Sequence, residues 1–215
     1  MNAKEIYDIL RAGGLSRAGA LGMLGNMMAE SSLIPNIAQR GMTGLTDAAY
    51  TEAANSGSID FAHDAVGYGL CQWTYHTRKA ALLDYSKEMN TSVGDGVMQA
   101  YFCLHELRED FPAVYHTLCS STSIDECADL VCVRYECPAV NNYAARRNYA
   151  HTFERDIPDA PAKERPAAKG ESWDWKIAEI QFVMQHDGYW GEVDGRKSPE
   201  FVKALRTYTD DMEKC

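Results

Sequence analysis

Between Leu15 and Glu30 the chain reads LSRAGALGMLGNMMAE, a run of apolar and small residues with glycine at positions 19, 22 and 25. No other feature restricts the fold as much. From Ala18 to Ala29 only Asn26 carries a polar side chain, so a helix here offers no face to water and belongs inside the domain. Glycines three apart let another backbone approach closely, while Met23, Met27 and Met28 fill irregular space around them. Ser16 is placed to cap the start of the helix, and Pro35 bars its continuation. The spacing therefore predicts a central helix around which the rest of the chain folds.

Glu30 closes that helix. An acid at this end meets the negative pole of the helix dipole, which is unfavourable, and the preceding turn, Met27 to Ala29, is wholly apolar. Something other than stability keeps it there. Desolvation on apolar neighbours penalises the carboxylate and favours a protonated group able to act as a general acid. Further along, Gly67 to Thr74 reads GYGLCQWT, a Gly-rich turn that can face Glu30. Gln72 offers both a donor and an acceptor, and Tyr68 and Trp73 offer flat faces for sugar rings or, equally, for a core. Breaking a glycosidic bond needs a proton donor and a group that stabilises the positive ring. Among Asp47, Glu52, Asp60 and Asp64, the choice for the second carboxylate is Asp64, three residues before Gly67; without one, a single acid/base does the work. Tyr135 and Glu136 can face the cleft from a later helix, whereas Tyr143, Arg146 and Arg147 read as surface helix residues.

Asn2 can cap a first helix that ends at Gly13-Gly14. From Arg40 to Tyr68 the residues are mostly small and polar, which reads as a loop or a short hairpin. Helical patterns then cover Thr77 to Glu88, Val97 to Glu109, Phe111 to Leu118, Ser123 to Tyr135 and Tyr143 to Phe153; Ser123 with Glu126 has capping-box spacing. Residues 156–171 (DIPDAPAKERPAAKGE) hold three prolines and little to bury, the composition of a linker. Beyond it, residues 172–215 carry two short amphipathic segments. The expected organisation is a mostly α domain over 1–155, a linker over 156–171 and a small helical module over 172–215.

Net charge bounds the partners. The chain carries a formal charge of -10, and residues 1–155 hold 12 Lys and Arg against 18 Asp and Glu, so no basic half is hidden. That balance argues against phosphate-driven nucleic-acid binding. No apolar run approaches the roughly 20 residues of a membrane helix, so no membrane insertion is expected. The N-terminus, MNAKEIYDIL, lacks the pattern of a secretory signal, so any extracellular target is expected to be reached by another route or by assembly into a larger particle. The seven cysteines are an odd number, which fits a reduced compartment at synthesis. Cys119, Cys127, Cys132 and Cys137 lack the paired knuckles of a structural zinc site and read as core residues. Neither a metal nor another cofactor is called for.

Three motifs occur in order: AGALGMLGNMMAESSLIPN, FAHDAVGYGLCQWTYHTRKAALLDY and VRYECPAVNNYAARRNYAHTF. Together they resemble the phage tail lysozyme family across nearly all of residues 1–155. The E-S-x-x-x-P-N and G-x-G-L-x-Q elements are also similar to the goose-type lysozyme and lytic transglycosylase pattern. The resemblance implies a lysozyme-like helical fold, Glu30 as the acid, and Gly69, Leu70 and Gln72 lining the cleft. Where relatives commonly show Tyr-Glu-Arg-Pro, this chain has Tyr135-Glu136-Cys137-Pro138. The tail resembles a helical peptidoglycan-binding module, with Tyr189, Trp190 and Asp194 at its matching positions.

The expectation is a peptidoglycan glycosidase, an endolysin or tail lysozyme, that cleaves the β-1,4 bond between N-acetylmuramic acid and N-acetylglucosamine. Its partners are then bacterial peptidoglycan and, in a virion, other tail proteins. Two alternatives stay open. Cys71 with a histidine base would make a cell-wall amidase or endopeptidase, and a protein that keeps the fold without turnover would be a tail or wall-binding component.

Overall fold

The computed structural model describes residues 1–158, which lie within one compact unit, Met1–Ala160. The expected linker beyond residue 158 and the wall-binding positions Tyr189, Trp190 and Asp194 lie outside the described residues.

The described part is mostly helical, as the periodicities require. It comprises α1 (Ala3–Ala12), α2 (Arg17–Ser31), α3 (Asp47–Ser56), α4 (His76–Glu88), α5 (Gly96–Glu109), α6 (Pro112–Ser120), α7 (Ile124–Val131) and α8 (Tyr143–Asp156), with a π-helical turn, Cys132–Glu136, between the last two. Among the described residues, none of these helices is long and apolar enough to cross a membrane.

Helix α2 is the axis. Ser16 caps it by accepting from Gly19 N at 2.9 Å. The helix packs chiefly against α8 and α7, with α1 and α6 completing its surroundings. The glycine spacing is explained by three separate backbones. A Cβ on Gly19 would stand 2.1 Å from Leu118 O, one on Gly22 2.8 Å from Ala128 N, and one on Gly25 2.4 Å from Arg146 O. Each glycine therefore admits a different neighbour: the end of α6, the middle of α7 and the start of α8. Asn26, the lone polar side chain of the run, is fully buried and donates from Nδ2 to Gly22 O at 2.8 Å and to Ala128 O at 2.9 Å, which satisfies it as burial demands.

The segment expected to be a loop from Arg40 to Tyr68 contains α3. Thr46 caps it by accepting from Ala49 N, and Gly57 ends it in the left-handed conformation. Only Tyr50 and Ala54 are buried, so its apolar signal is two residues wide. The short hairpin lies later than expected: Tyr68 and Trp73 pair across Gly69 to Gln72, and Ala38 bridges to Tyr68. The helix read as continuous from Ser123 to Tyr135 changes to π geometry at Cys132.

Candidate active site

Helix α2 ends at Ser31, one residue after Glu30. Ser32 takes a left-handed conformation and its N–H returns to Met28 O, and Leu33 is left-handed too, with φ of 55° and 60°. Ser31, buried beside Glu30, sets its Oγ 2.9 Å from both Met27 O and Leu70 O. One hydroxyl thus ties the end of the central helix to the Gly-rich turn.

That turn is held from behind by Gln99 of α5. Its Oε1 accepts from Leu70 N at 2.9 Å, and its Nε2 donates to Pro35 O and Val93 O at 2.7 Å each. Gly69 has φ of 75°, and a Cβ there would meet Gln99 Oε1 at 2.6 Å, so both conformation and contact require glycine.

The turn and the helix end border a cleft of about 1120 Å³. It is lined by Glu30, Gln72, Cys71, Tyr135 and Glu136, with Tyr75, His76 and His63 among the remaining lining residues. Of the sequence-derived candidates, Glu30, Gln72, Tyr135 and Glu136 are brought together here. Gln72 Nε2 is committed to Gly69 O and Ile37 O at 3.1 and 3.3 Å, which leaves its carbonyl oxygen as the acceptor toward a ligand.

The other candidates sit elsewhere. Asp64 does not line the cleft; it pairs with the buried Lys79 and accepts from Tyr50 OH at 2.5 Å and from Val66 N at 3.0 Å. Burial pushes the Lys79 ammonium down in pKa while Asp64 opposes that shift, so Asp64 answers a buried cation rather than a substrate. Tyr68 and Trp73 are fully buried and cannot offer faces to a sugar. Tyr68 OH lies 2.6 Å from Thr51 Oγ1, and Trp73 Nε1 donates to Glu106 at 2.7 Å. Leu70 is also fully buried, and Gly69 is turned against Gln99; both shape the turn from within.

Glu106 organises the back wall. Its buried carboxylate accepts from Trp73 Nε1, Tyr135 OH, Arg78 Nε and Arg78 Nη2 at 2.6 to 2.9 Å. Arg78 also lies over the Tyr135 ring, 4.5 Å from its centroid, and donates to Tyr135 O. These contacts pin the π-helical turn, and the turn places Glu136 at the cleft. A π turn inside a helical run is a local irregularity of the kind found at functional sites.

The surroundings of Glu30 differ from the apolar pocket expected. Arg146 of α8, read as a surface residue, is 4% exposed and donates from Nη2 to Glu30 Oε1 at 2.5 Å and from Nη1 to Asn26 Oδ1 at 2.8 Å. It is the residue that sequence reasoning missed. The glycine stripe was its one signal, because the backbone that Gly25 admits is that of Arg146. Arg147, by contrast, faces outward and pairs with Asp129.

Glu136 is the second carboxyl group of the cleft. Its Oε1 is buried with no hydrogen-bond partner. Burial first, then the neighbouring charge of Glu30, push its pKa up to about 8, with Arg78, Arg146 and the Cys71 thiol opposing. Cys71 is 3% exposed, and burial pushes its thiol well above the ordinary range, the reverse of what a thiolate nucleophile needs.

A broad aromatic surface lines the same cleft. Tyr75 is 64% exposed, its ring lies 4.5 Å from that of His76, and His76 stacks on His63 at 5.8 Å with 20° between planes.

Comparison with curated proteins gives no match. The phage tail lysozyme family matches residues 1–156. Taken with a mostly helical domain whose central helix delivers a glutamate to an open cleft, that match shows that this chain belongs to the phage tail lysozyme family and has a lysozyme-like activity on peptidoglycan.

Proposed function

We propose that the domain cleaves the β-1,4 bond between N-acetylmuramic acid and N-acetylglucosamine, with Glu30 giving a proton to the leaving oxygen. The observation that carries this reading is the position of Glu30. It closes a buried helix, keeps 18% side-chain exposure and borders a cleft of about 1120 Å³. Arg146 occupies Oε1, so Oε2 is the oxygen available to the substrate. Fixing one oxygen of an acid orients the other, and orientation is a large part of what such a site supplies.

The remaining lining fits the same chemistry. Gln72 can accept from an acetamide N–H, and the Tyr75 ring with its histidine neighbours gives sugar rings a surface on which to lie. These residues replace Tyr68 and Trp73 as the stacking faces. Asp64 has no part in the reaction on this reading. A thiol mechanism finds no support in the burial of Cys71.

Digesting purified peptidoglycan and weighing the released fragments tests the proposal. Muropeptides cut between the two amino sugars, with either reducing or anhydro ends, are the expected products, and Glu30→Gln should remove at least 99% of the activity, given the roughly 10²–10⁴-fold contribution of a positioned acid. New peptide N-termini without glycan cleavage, or walls bound but never cleared, would refute it.

A further inference from the structure

The two carboxyl groups of the cleft raise a question that Glu30 alone does not answer. A general acid must hold a proton, and one oxygen of Glu30 is already taken up by the buried guanidinium of Arg146. The proton for catalysis has to reside somewhere in the site.

Three observations locate it. Glu30 and Glu136 line one cleft, from the end of α2 and from the π-helical turn. Glu136 Oε1 is shielded from water and receives no donor from the protein, a poor setting for a full negative charge but an acceptable one for a neutral acid. Arg146 sits on Glu30, and its buried Nε has no partner of its own, so the α8 cation is committed to the Glu30 side of the pair.

We infer that Glu30 and Glu136 form a coupled pair holding one proton between them, with Glu136 as its resting place and Glu30 as the outlet to the substrate. Glu136 is then a positioning residue that acts through Glu30. As the glycosidic bond breaks, the one proton of the pair passes from Glu136 to Glu30 and from Glu30 to the leaving oxygen; the pair is then empty, and it regains a proton from the water that completes the second half of the reaction. The inference rests on the glycosidase reading and adds to it the source of the proton.

Every charged or titratable group facing Glu136 bears on this. Glu30 on α2 opposes ionisation, whereas Arg78 on α4, Arg146 on α8 and the Cys71 thiol of the Gly-rich turn favour it, and burial outweighs them so that Glu136 ionises near pH 8. Like-charged carboxyls that share a site ionise in two separated steps belonging to the pair. The sign follows. Activity that needs one proton on the pair persists through neutral pH and falls as pH rises through about 8.

The test does not depend on turnover. Carboxyl carbons are followed by NMR in protein labelled at glutamate, from pH 4 to 9.5, in the native protein, Glu30→Gln and Glu136→Gln. The expected result is one carboxyl ionising near pH 8 in the native protein, its absence in Glu136→Gln, and a downward shift of at least one pH unit in Glu30→Gln. In parallel, the alkaline limb of the pH–rate profile should move to lower pH in Glu136→Gln, a shift that a merely structural role would not produce. No carboxyl ionising above pH 7, an unmoved limb, or a folded Glu136→Gln inactive at every pH would each overturn the pairing. Should Glu136→Gln fail to fold, the Glu30→Gln titration decides alone. A native protein with the expected titration but no glycan cleavage would refute the glycosidase reading and leave the pair standing.

Discussion

Replacing Gly25 by alanine sets two opposing effects against each other. In an exposed helix interior, Gly→Ala is favourable by about 1 kcal/mol, because glycine loses more backbone freedom on folding. Here the new Cβ would lie 2.4 Å from Arg146 O and 2.9 Å from Ala150 Cβ. Reaching ordinary contact requires α2 and α8 to separate by about 1 Å, and the obstacle is backbone, which cannot swing aside. Overpacking of this kind costs about 1–3 kcal/mol, and an immovable partner puts it at the upper end. The net expectation is a loss of about 2 kcal/mol, or a Tm lower by about 4–8 °C for a domain of this size. The effect does not stop at stability, because the displaced carbonyl belongs to the arginine that holds Glu30. A misplacement of this size can cost about 10²-fold in rate, so wall clearing at 20 °C should fall even where the variant is fully folded. Thermal melting followed by circular dichroism, alongside turbidity loss of a wall suspension, measures both. An unchanged or raised Tm would refute the argument that a backbone contact, and not helix propensity, selects glycine at this position.

Tyr75→Ala should raise KM for wall fragments about 3- to 10-fold with kcat nearly unchanged, the loss of one exposed stacking face; steady-state kinetics on soluble glycan chains separates the two constants. Asp64→Asn should destabilise the domain by about 3–5 kcal/mol by leaving Lys79 buried without its counter-charge, while the activity of the fraction still folded at low temperature persists; denaturant titration with a parallel rate measurement checks both. Cys71→Ala should retain cleavage, and loss of all activity in a folded Cys71→Ala protein would revive the thiol mechanism.

The parts of the fold written in local pattern were legible. The central place of α2 followed from an apolar run with no wet face, and the caps at Asn2 and Ser16 followed from residue type. Helix α3 was hidden because it buries only Tyr50 and Ala54, too little to impose a period on ten residues rich in alanine. At the site, Glu30 and Gln72 could be placed in the cleft because their motifs are short and contiguous. Tyr68 and Trp73 could not be told from exposed stacking faces, since what buries them is distant in sequence: the Trp73 partner Glu106 is on α5, and the rings of Tyr50 and Phe61 enclose Tyr68 at 5.5 and 5.2 Å. Arg146 is the same case reversed. On a helix rich in polar residues an arginine looks solvated, and only the meeting of α8 with the glycine side of α2 shows that it is buried.

Left-handed backbone at residues other than glycine gathers around the cleft: Ser32 and Leu33 follow Glu30 past Ser31, and Gln72 and Cys137 lie in the lining with φ of 46° and 47°. Each such residue holds conformational energy of order 1 kcal/mol or more. Sequence variation that favours heat resistance would therefore drift toward glycine at these four positions, and the gain would be drawn from the rigidity that aims the acid. In this domain, endurance and turnover compete for the same few torsion angles.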